Sequence, residues 1–341
     1  MSSAQTAGPE TLGQMSDEPQ GKDPSTKKAK SITGKSPMRI AMGRLMRDKI
    51  AVVCLATVVF FVLIAVFAGV LQRLFGVDTN TVLPSQFLDL DGVPRPEYGP
   101  PYGAFTMEHP FGIAPRTATD NLAFWLEGAR NSLQIAALAT LVATVVGITL
   151  GLLAGFLGGV VDKVISFITD FFLTLPFLLA ALTIAPIVNE RFRDSPNYVT
   201  IQVTQLVMVL AFFGWMGLAR LIRGEVLSLR EREFIQAARV LGMPTHRVLV
   251  RELMPNLAAP IVVSTSLMLP AFVSAEAGLA FLGVGITARP SWGQTLTQAT
   301  SFFNDYSLYL WQPLLGIVAL VLALNLLGDA VRDALDPKTR R

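Results

Sequence analysis

Six apolar runs separated by polar stretches set the order of this chain. Ala51 to Leu71 is uncharged, and as a helix it is long enough to cross a hydrocarbon core of about 30 Å. Leu133 to Val160, Val164 to Val188, Val199 to Leu218, Pro260 to Gly283 and Pro313 to Leu327 read as spans two to six. The last is short unless it continues through Gly328 and Ala330. Between spans one and two lies a long non-membrane segment, Phe75 to Arg130. Pro94, Pro96, Pro100 and Pro101, with Gly92, Gly99 and Gly103, make its middle turn-rich and extended. Asp120 to Arg130 reads as a separate short helix, with Leu122, Trp125 and Leu126 on one face, placed to lie in the membrane interface. Gly158-Gly159 and Asp162-Lys163 form a tight turn. Asn189 to Asn197 and Val284 to Gln312 are loops, the second carrying Arg289-Pro290-Ser291-Trp292-Gly293.

Within the spans, small and polar residues modify the picture. Ala139, Ala143, Gly147, Gly151 and Gly155 repeat every fourth residue. They give span two a smooth stripe where another helix backbone can approach, unless the glycines are ordinary membrane-helix composition. Span three holds Asp170 and the kink-capable Pro176, and span five holds Pro270 and Glu276. A carboxylate inside a span faces protein or water. Asp170 has a structural hydrogen-bonding reading and a substrate or ion reading, and Glu276 a structural or a pathway-lining one.

Composition agrees with a polytopic membrane protein. Of 341 residues, 52% are hydrophobic and 16% charged, against about 25% charged in soluble domains. The net charge of +3 points to no nucleic-acid partner. The single cysteine, Cys54, forms no intrachain disulfide, and His109 and His246 lack metal-ligand spacing. Residues 1–37 are polar and are expected to be a disordered cytoplasmic tail. Gly34-Lys35-Ser36 is no phosphate loop, because Ala29 stands where the first glycine is required. With six spans, both termini share one side. Placing them in the cytoplasm puts 21 of the 28 basic residues inside. The resulting division is a tail over 1–37, a basic entry and first span over 38–74, an extracytoplasmic loop over 75–131, and a core over 132–341.

The core contains one strongly charged interruption, Glu231 to Asn256, inside a cytoplasmic loop over 224–257. It reads as a helix, a glycine turn at Gly242, and a second short helix opened by Pro244. Phe234, Ala237, Ala238 and Leu241 fall at i, i+3, i+4 and i+7 and make one apolar stripe. Pro255 and Pro260 delimit the exit into span five. Arg230, Arg232, Arg239, Arg247 and Arg251 would suit anionic lipid, but Glu225, Glu231, Glu233 and Glu252 dilute that charge. The small apolar face therefore suits a protein partner better than lipid.

Gln236-Ala237-Ala238, Gly242 and Glu252-Leu253-Met254-Pro255 resemble the Glu-Ala-Ala loop of membrane permeases of bacterial ABC importers, with spacing kept. Gln236 replaces the family glutamate, while Glu252 and Met254 replace an isoleucine and a leucine. Glu276 to Gly285, Pro290 to Gly293, Asn325 to Asp329 and Arg332 to Pro337 resemble the C-type permease of dipeptide and oligopeptide importers, as do the basic entry to span one and His109 to Gly112. The chain departs at Ala118-Thr119-Asp120, where the family has Gly-Arg-Asp, and at Phe167, where it often has arginine. Residues 78–108 are enlarged.

The resemblance implies an all-α, six-span, type I ABC importer permease fold with a cytoplasmic coupling-helix pair. It also implies a non-catalytic subunit in the plasma membrane. The expected partners are a second homologous permease in a heterodimer, two cytoplasmic ATPase subunits or one fused pair that bind ATP and Mg, an extracytoplasmic solute-binding protein, and membrane lipid. The implied coupling residues are Glu233, Gln236, Ala237, Ala238, Gly242, His246, Arg247 and Pro255. Peptides are the implied cargo, with nickel, haem or another small solute as alternatives. A secondary transporter without an ATPase is the rival class, but no inverted repeat is visible, and an enzyme lacks any catalytic cluster.

Overall fold

The computed structural model describes residues 42–83, 85–95 and 108–335. The expected tail over 1–37, Arg39 at the basic entry, the Pro/Gly-rich centre of the outer segment from Pro96 to Gly103, and Pro337 lie outside these residues. Ten helices carry the described chain: α1 Lys49–Phe75, α2 Asn121–Leu157, α3 Gly159–Leu173, α4 Phe177–Arg191, α5 Tyr198–Arg230, α6 Glu233–Val240, α7 Thr245–Arg247, α8 Met254–Phe281, α9 Trp292–Thr300 and α10 Ser307–Leu335. The fold is all-helical.

Local chemistry fixes several ends. The Asp48 carboxylate accepts the Ile50 N–H at 2.9 Å and caps α1, and Gly76 closes it at φ 68°. Asp120 accepts the Ala123 N–H at 3.0 Å and starts α2. That cap opens a helix of 37 residues, so the expected interfacial helix and span two are one rod. At about 1.5 Å per residue it is roughly 55 Å long, more than lipid requires.

α2 and α5 form the central pair. A Cβ at Gly147 would meet the Trp215 carbonyl oxygen at 2.9 Å, one at Gly151 the Ala219 carbonyl at 2.7 Å, and one at Gly155 the Val226 Cβ at 2.8 Å. The numbers rise together along both helices, so α2 and α5 run parallel. The chain must therefore recross between them, and α3 with α4 makes that crossing in two halves bent by 83°. Five long apolar helices and this broken one give six crossings. An even number returns the ends to one face. Arg44 and Asp48 before α1 and Ala330 and Asp333 near the end of α10 indeed line a common cavity.

Four boundaries differ from the sequence reading. Span three bends at the kink-capable Pro176, and more sharply than a kinked single helix. It breaks over 174–176, and Asp162 and Lys163 lie within α3 and not in a turn. Span four does not end before Arg220. α5 continues to Arg230, and on it Arg220 and Arg223 pair with Asp170 and Asp162 of α3. Pro255 and Pro260 do not end a separate helix. α7, a π-helical stretch over Val248–Leu253 and α8 form continuous helix, and the loosened turn accommodates Pro255, which has no N–H to donate. The loop over 284–312 contains α9, capped by Ser291 Oγ, and span six begins at Ser307.

At the face where α2 and α5 begin, packing is polar and aromatic. Trp292 donates to the Trp125 carbonyl at 3.0 Å, and Trp125 donates to the Gln312 carbonyl at 3.1 Å. Buried Gln202 on α5 reaches Tyr198, Thr287 and Asn189 with its amide nitrogen. Its oxygen accepts the Thr287 and Ala288 N–H groups at 3.2 and 3.3 Å. It ties the end of α4 and the start of α5 to the loop after α8.

Candidate functional site

The connection between α5 and α8 emerges at the opposite face, with the chain ends. Arg232, in extended conformation, precedes α6, and Glu233 in the first turn suits the helix dipole. At the far end Gly242 takes φ 75°, the Gly242 N–H bonds to the Arg239 carbonyl at 3.0 Å, and the Met243 N–H bonds to the Ala238 carbonyl at 3.0 Å. This is a Schellman closure, and it needs a residue that tolerates left-handed backbone. A Cβ at Gly242 would meet nothing within 4 Å, so the requirement is conformational and not steric.

α6 has two faces. Ile235 is fully buried and Ala238 is 6% exposed. Both pack with Val248, Leu253 and Leu257 and with Leu152, Phe156, Ile222 and Val226 of α2 and α5. The expected stripe is therefore split. Ala238 turns into the body, while Phe234, Ala237, Val240 and Leu241 face outward. A helix of two turns packed on a bundle needs an inward anchor, and Ile235 provides it. The sequence reading missed this residue, although Ile235 and Ala238 share i, i+3 spacing.

Two arginines strengthen the attachment. Arg239 lies over the Phe156 ring at 4.3 Å, and Arg230 donates to the Gly155 carbonyl at 3.2 Å. Both reach the end of α2, so the connection is fixed to the helix pair that spans the molecule. Glu233, Gln236, Ala237, Gly242, His246, Arg247 and Pro255 are exposed. Gln236 donates back to the Glu231 carbonyl at 3.3 Å, and the Glu252 carbonyl accepts the Asn256 amide at 2.6 Å.

The two intramembrane acids are placed differently. Asp170 accepts from Arg220 of α5 at 2.6 Å and borders a cavity. Glu276 is fully buried between α2 and the loop before α9. Ser132 and Ser291 are its polar neighbours, but neither carboxyl oxygen completes a well-formed hydrogen bond. Among the described residues no group of three His, Cys, Asp or Glu side chains could hold a metal ion.

Six crossings, one of them broken, and a helical connection packed on α2 and α5 at one face make up the described body. The binding-protein-dependent transport system inner membrane component family matches residues 147–341, and the N-terminal transmembrane domain of oligopeptide transport permease C matches residues 36–81. A dipeptide transport system permease protein DppC of Alkalihalophilus pseudofirmus is 34% identical over 90% of this chain and 92% of its own length. An oligopeptide transport system permease protein OppC of Escherichia coli is 30% identical over 91% of this chain and 94% of its own. Among solved structures, the MetNI methionine ABC transporter in an inward-facing conformation shares the fold. The TM-score is 0.50 at 18% identity, covering 62% of this chain and 96% of that one. The chain belongs to the family of binding-protein-dependent inner membrane transport components, the permease subunits of ABC importers. It is a multi-pass inner membrane protein and a transport subunit, not the ATP-hydrolysing one.

Proposed function

We propose that this chain is one half of the translocation pathway of an ATP-driven peptide importer, driven through the 231–253 connection. The amino and carboxyl ends and this connection are cytoplasmic, and the 76–120 segment is extracytoplasmic. The dominance of basic residues on that face supports this orientation. A second homologous permease completes the pathway. Two ATPase subunits, or a fused pair, bind ATP and Mg, and a solute-binding protein delivers cargo. Di- or oligopeptides are the cargo class favoured by the names of the two relatives.

One observation carries the coupling role: α6 is apolar on both faces. Inward, Ile235 and Ala238 join it to α2 and α5. Outward, Phe234, Ala237 and Leu241 offer a patch that fits a groove on an ATPase. A push on the outer patch reaches the spanning helices without crossing a flexible joint. Glu233, Gln236, His246 and Arg247 supply the polar rim, and Gly242 sets the angle between α6 and the rod that begins at α7.

The test is Gly242→Leu in the complete transporter. It imposes left-handed backbone on a residue that resists it, at about 1–2 kcal/mol, and places a bulky chain on the patch. The variant should reach the membrane yet lose uptake and cargo-stimulated ATP hydrolysis. Wild-type uptake would remove the coupling assignment. Testing which ligands of the binding protein stimulate hydrolysis fixes the cargo.

A further inference from the structure

Two ion pairs join α3 to α5 toward the cytoplasmic face, and they differ in kind. Arg223 engages Asp162 through two nitrogens on two oxygens, and Ser166 also bonds to Asp162. The pair is 34% and 19% exposed. Its hydrogen-bonding capacity is largely used, and it acts as a clamp. Arg220 and Asp170 share a single 2.6 Å contact and are 58% and 65% exposed. Most of the guanidinium donors and one carboxylate oxygen remain open.

Asp170, Arg220 and Arg223 border a cavity of about 470 Å³, together with Ser166 and the buried Thr169. Charged side chains persist in spanning helices where they face protein or water. One turn beyond Asp170, α3 ends at Leu173, and the chain runs without regular helix to Phe177. Irregular backbone at membrane depth is tolerated where it lines protein or a water-filled space. The break itself is different in character. A cavity of about 440 Å³ there is walled by Phe172, Phe177, Phe213 and Phe272. A polar cavity thus lies before the break, and an aromatic one is walled by the break itself.

We propose that Arg220 and Asp170 form a charge-reading station for a solute that carries both a free carboxylate and a free ammonium, as the two ends of a short peptide do. The guanidinium receives the carboxylate and Asp170 receives the ammonium as the solute passes through the polar cavity. The existing contact between the two side chains holds them in place when no solute is there. Asp162–Arg223 is the static joint beside it. This assignment rests on the importer reading above and adds a residue-level site to it.

The test uses the full complex, with both permeases, ATPases and binding protein, in proteoliposomes, and alanyl-alanine with free termini as the probe. Asp170→Asn and Arg220→Gln should each lower uptake about tenfold, the factor carried by one charge-assisted hydrogen bond. Stimulation of ATP hydrolysis by the loaded binding protein should stay within about twofold of wild type, since conformational coupling is untouched. The exchange Asp170→Arg with Arg220→Asp preserves the pair but reverses the charges met by the solute, and uptake should stay low. Asp170→Glu with Arg220→Lys keeps the charges in order and should recover most of it. Restoration of uptake by the exchange, wild-type uptake in the neutral variants, or their failure to assemble would each make the pair a structural joint and overturn the proposal. Absence of stimulated ATP hydrolysis in the wild type would instead remove the importer reading itself.

Discussion

Gly151→Ala gives the sharpest test of how the body is held together. A Cβ there would lie 2.7 Å from the Ala219 carbonyl oxygen and 2.8 Å from the Ile222 Cβ. Carbon atoms pack at about 3.5 Å or more, so the Ile222 contact falls short by roughly 0.7 Å. Neither neighbour can swing aside, because one is backbone and the other is held at the stiff branch point of isoleucine. α5 must move back. A gap of about 0.5–1 Å forfeits a quarter to a half of the dispersion well at contacts along the seam, and Gly147 and Gly155 lie on that same seam. Overpacking by one methyl costs about 1–3 kcal/mol, and the upper half of that range applies here. Thermal unfolding of the detergent-purified protein should fall by about 4–12 °C on the scale of large domains. The control is Gly217→Ala on α5, where a Cβ meets nothing within 4 Å. It should be neutral or stabilising by up to about 1 kcal/mol. Unfolding of Gly151→Ala at or above the wild-type temperature would refute the close-packing argument.

Other positions give independent checks. Gln202→Leu strips the Thr287 and Ala288 N–H groups of their acceptor. It should destabilise by about 2–4 kcal/mol, with faster hydrogen exchange at those two amides. Ala118 holds φ 51° while almost fully buried, so Ala118→Gly should raise the unfolding midpoint by up to about 1 kcal/mol equivalent. A double-mutant cycle at Asp162 and Arg223 should return roughly 1–3 kcal/mol of coupling. The same cycle at Asp170 and Arg220 should return at most about 1 kcal/mol, as for exposed pairs. Comparable values would erase the distinction between clamp and station. Glu276→Gln keeps hydrogen-bonding atoms beside Ser132 and Ser291 and should assemble normally. Glu276→Lys adds length and a cation in a fully buried space and should abolish accumulation in the membrane, as membrane immunoblots would report.

Ala118 shows how a sequence departure acquires physical meaning. The chain has Ala118 where the resemblance led us to expect glycine, and the backbone there takes a left-handed turn that glycine would adopt freely. The turn is kept, at some cost, because Ala118 bonds to the Ala114 carbonyl and accepts the Leu83 N–H at 2.8 Å.

The sequence by itself determined the membrane class, the spans and the charged interruption after span four. Lipid imposes a minimum apolar length and excludes charge, and both can be read residue by residue. The Glu-Ala-Ala spacing likewise singled out 231–256, and Gly242 as its turn, because left-handed backbone favours one residue type. Tertiary structure decided what depends on neighbours distant in the chain. α5 runs on through Arg220 and Arg223, which meet Asp170 and Asp162 of α3, where hydropathy alone ends the span before them. The parallel run of α2 and α5 makes α3 and α4 one broken crossing, where the sequence offered only a span that could kink at Pro176. In the apolar stripe of α6, Ala237 and Ala238 look alike in sequence. Only the body beneath determines that Ala238 is buried with Ile235 and that Ala237 is left outside, because burial is set by the partner surface and not by the residue.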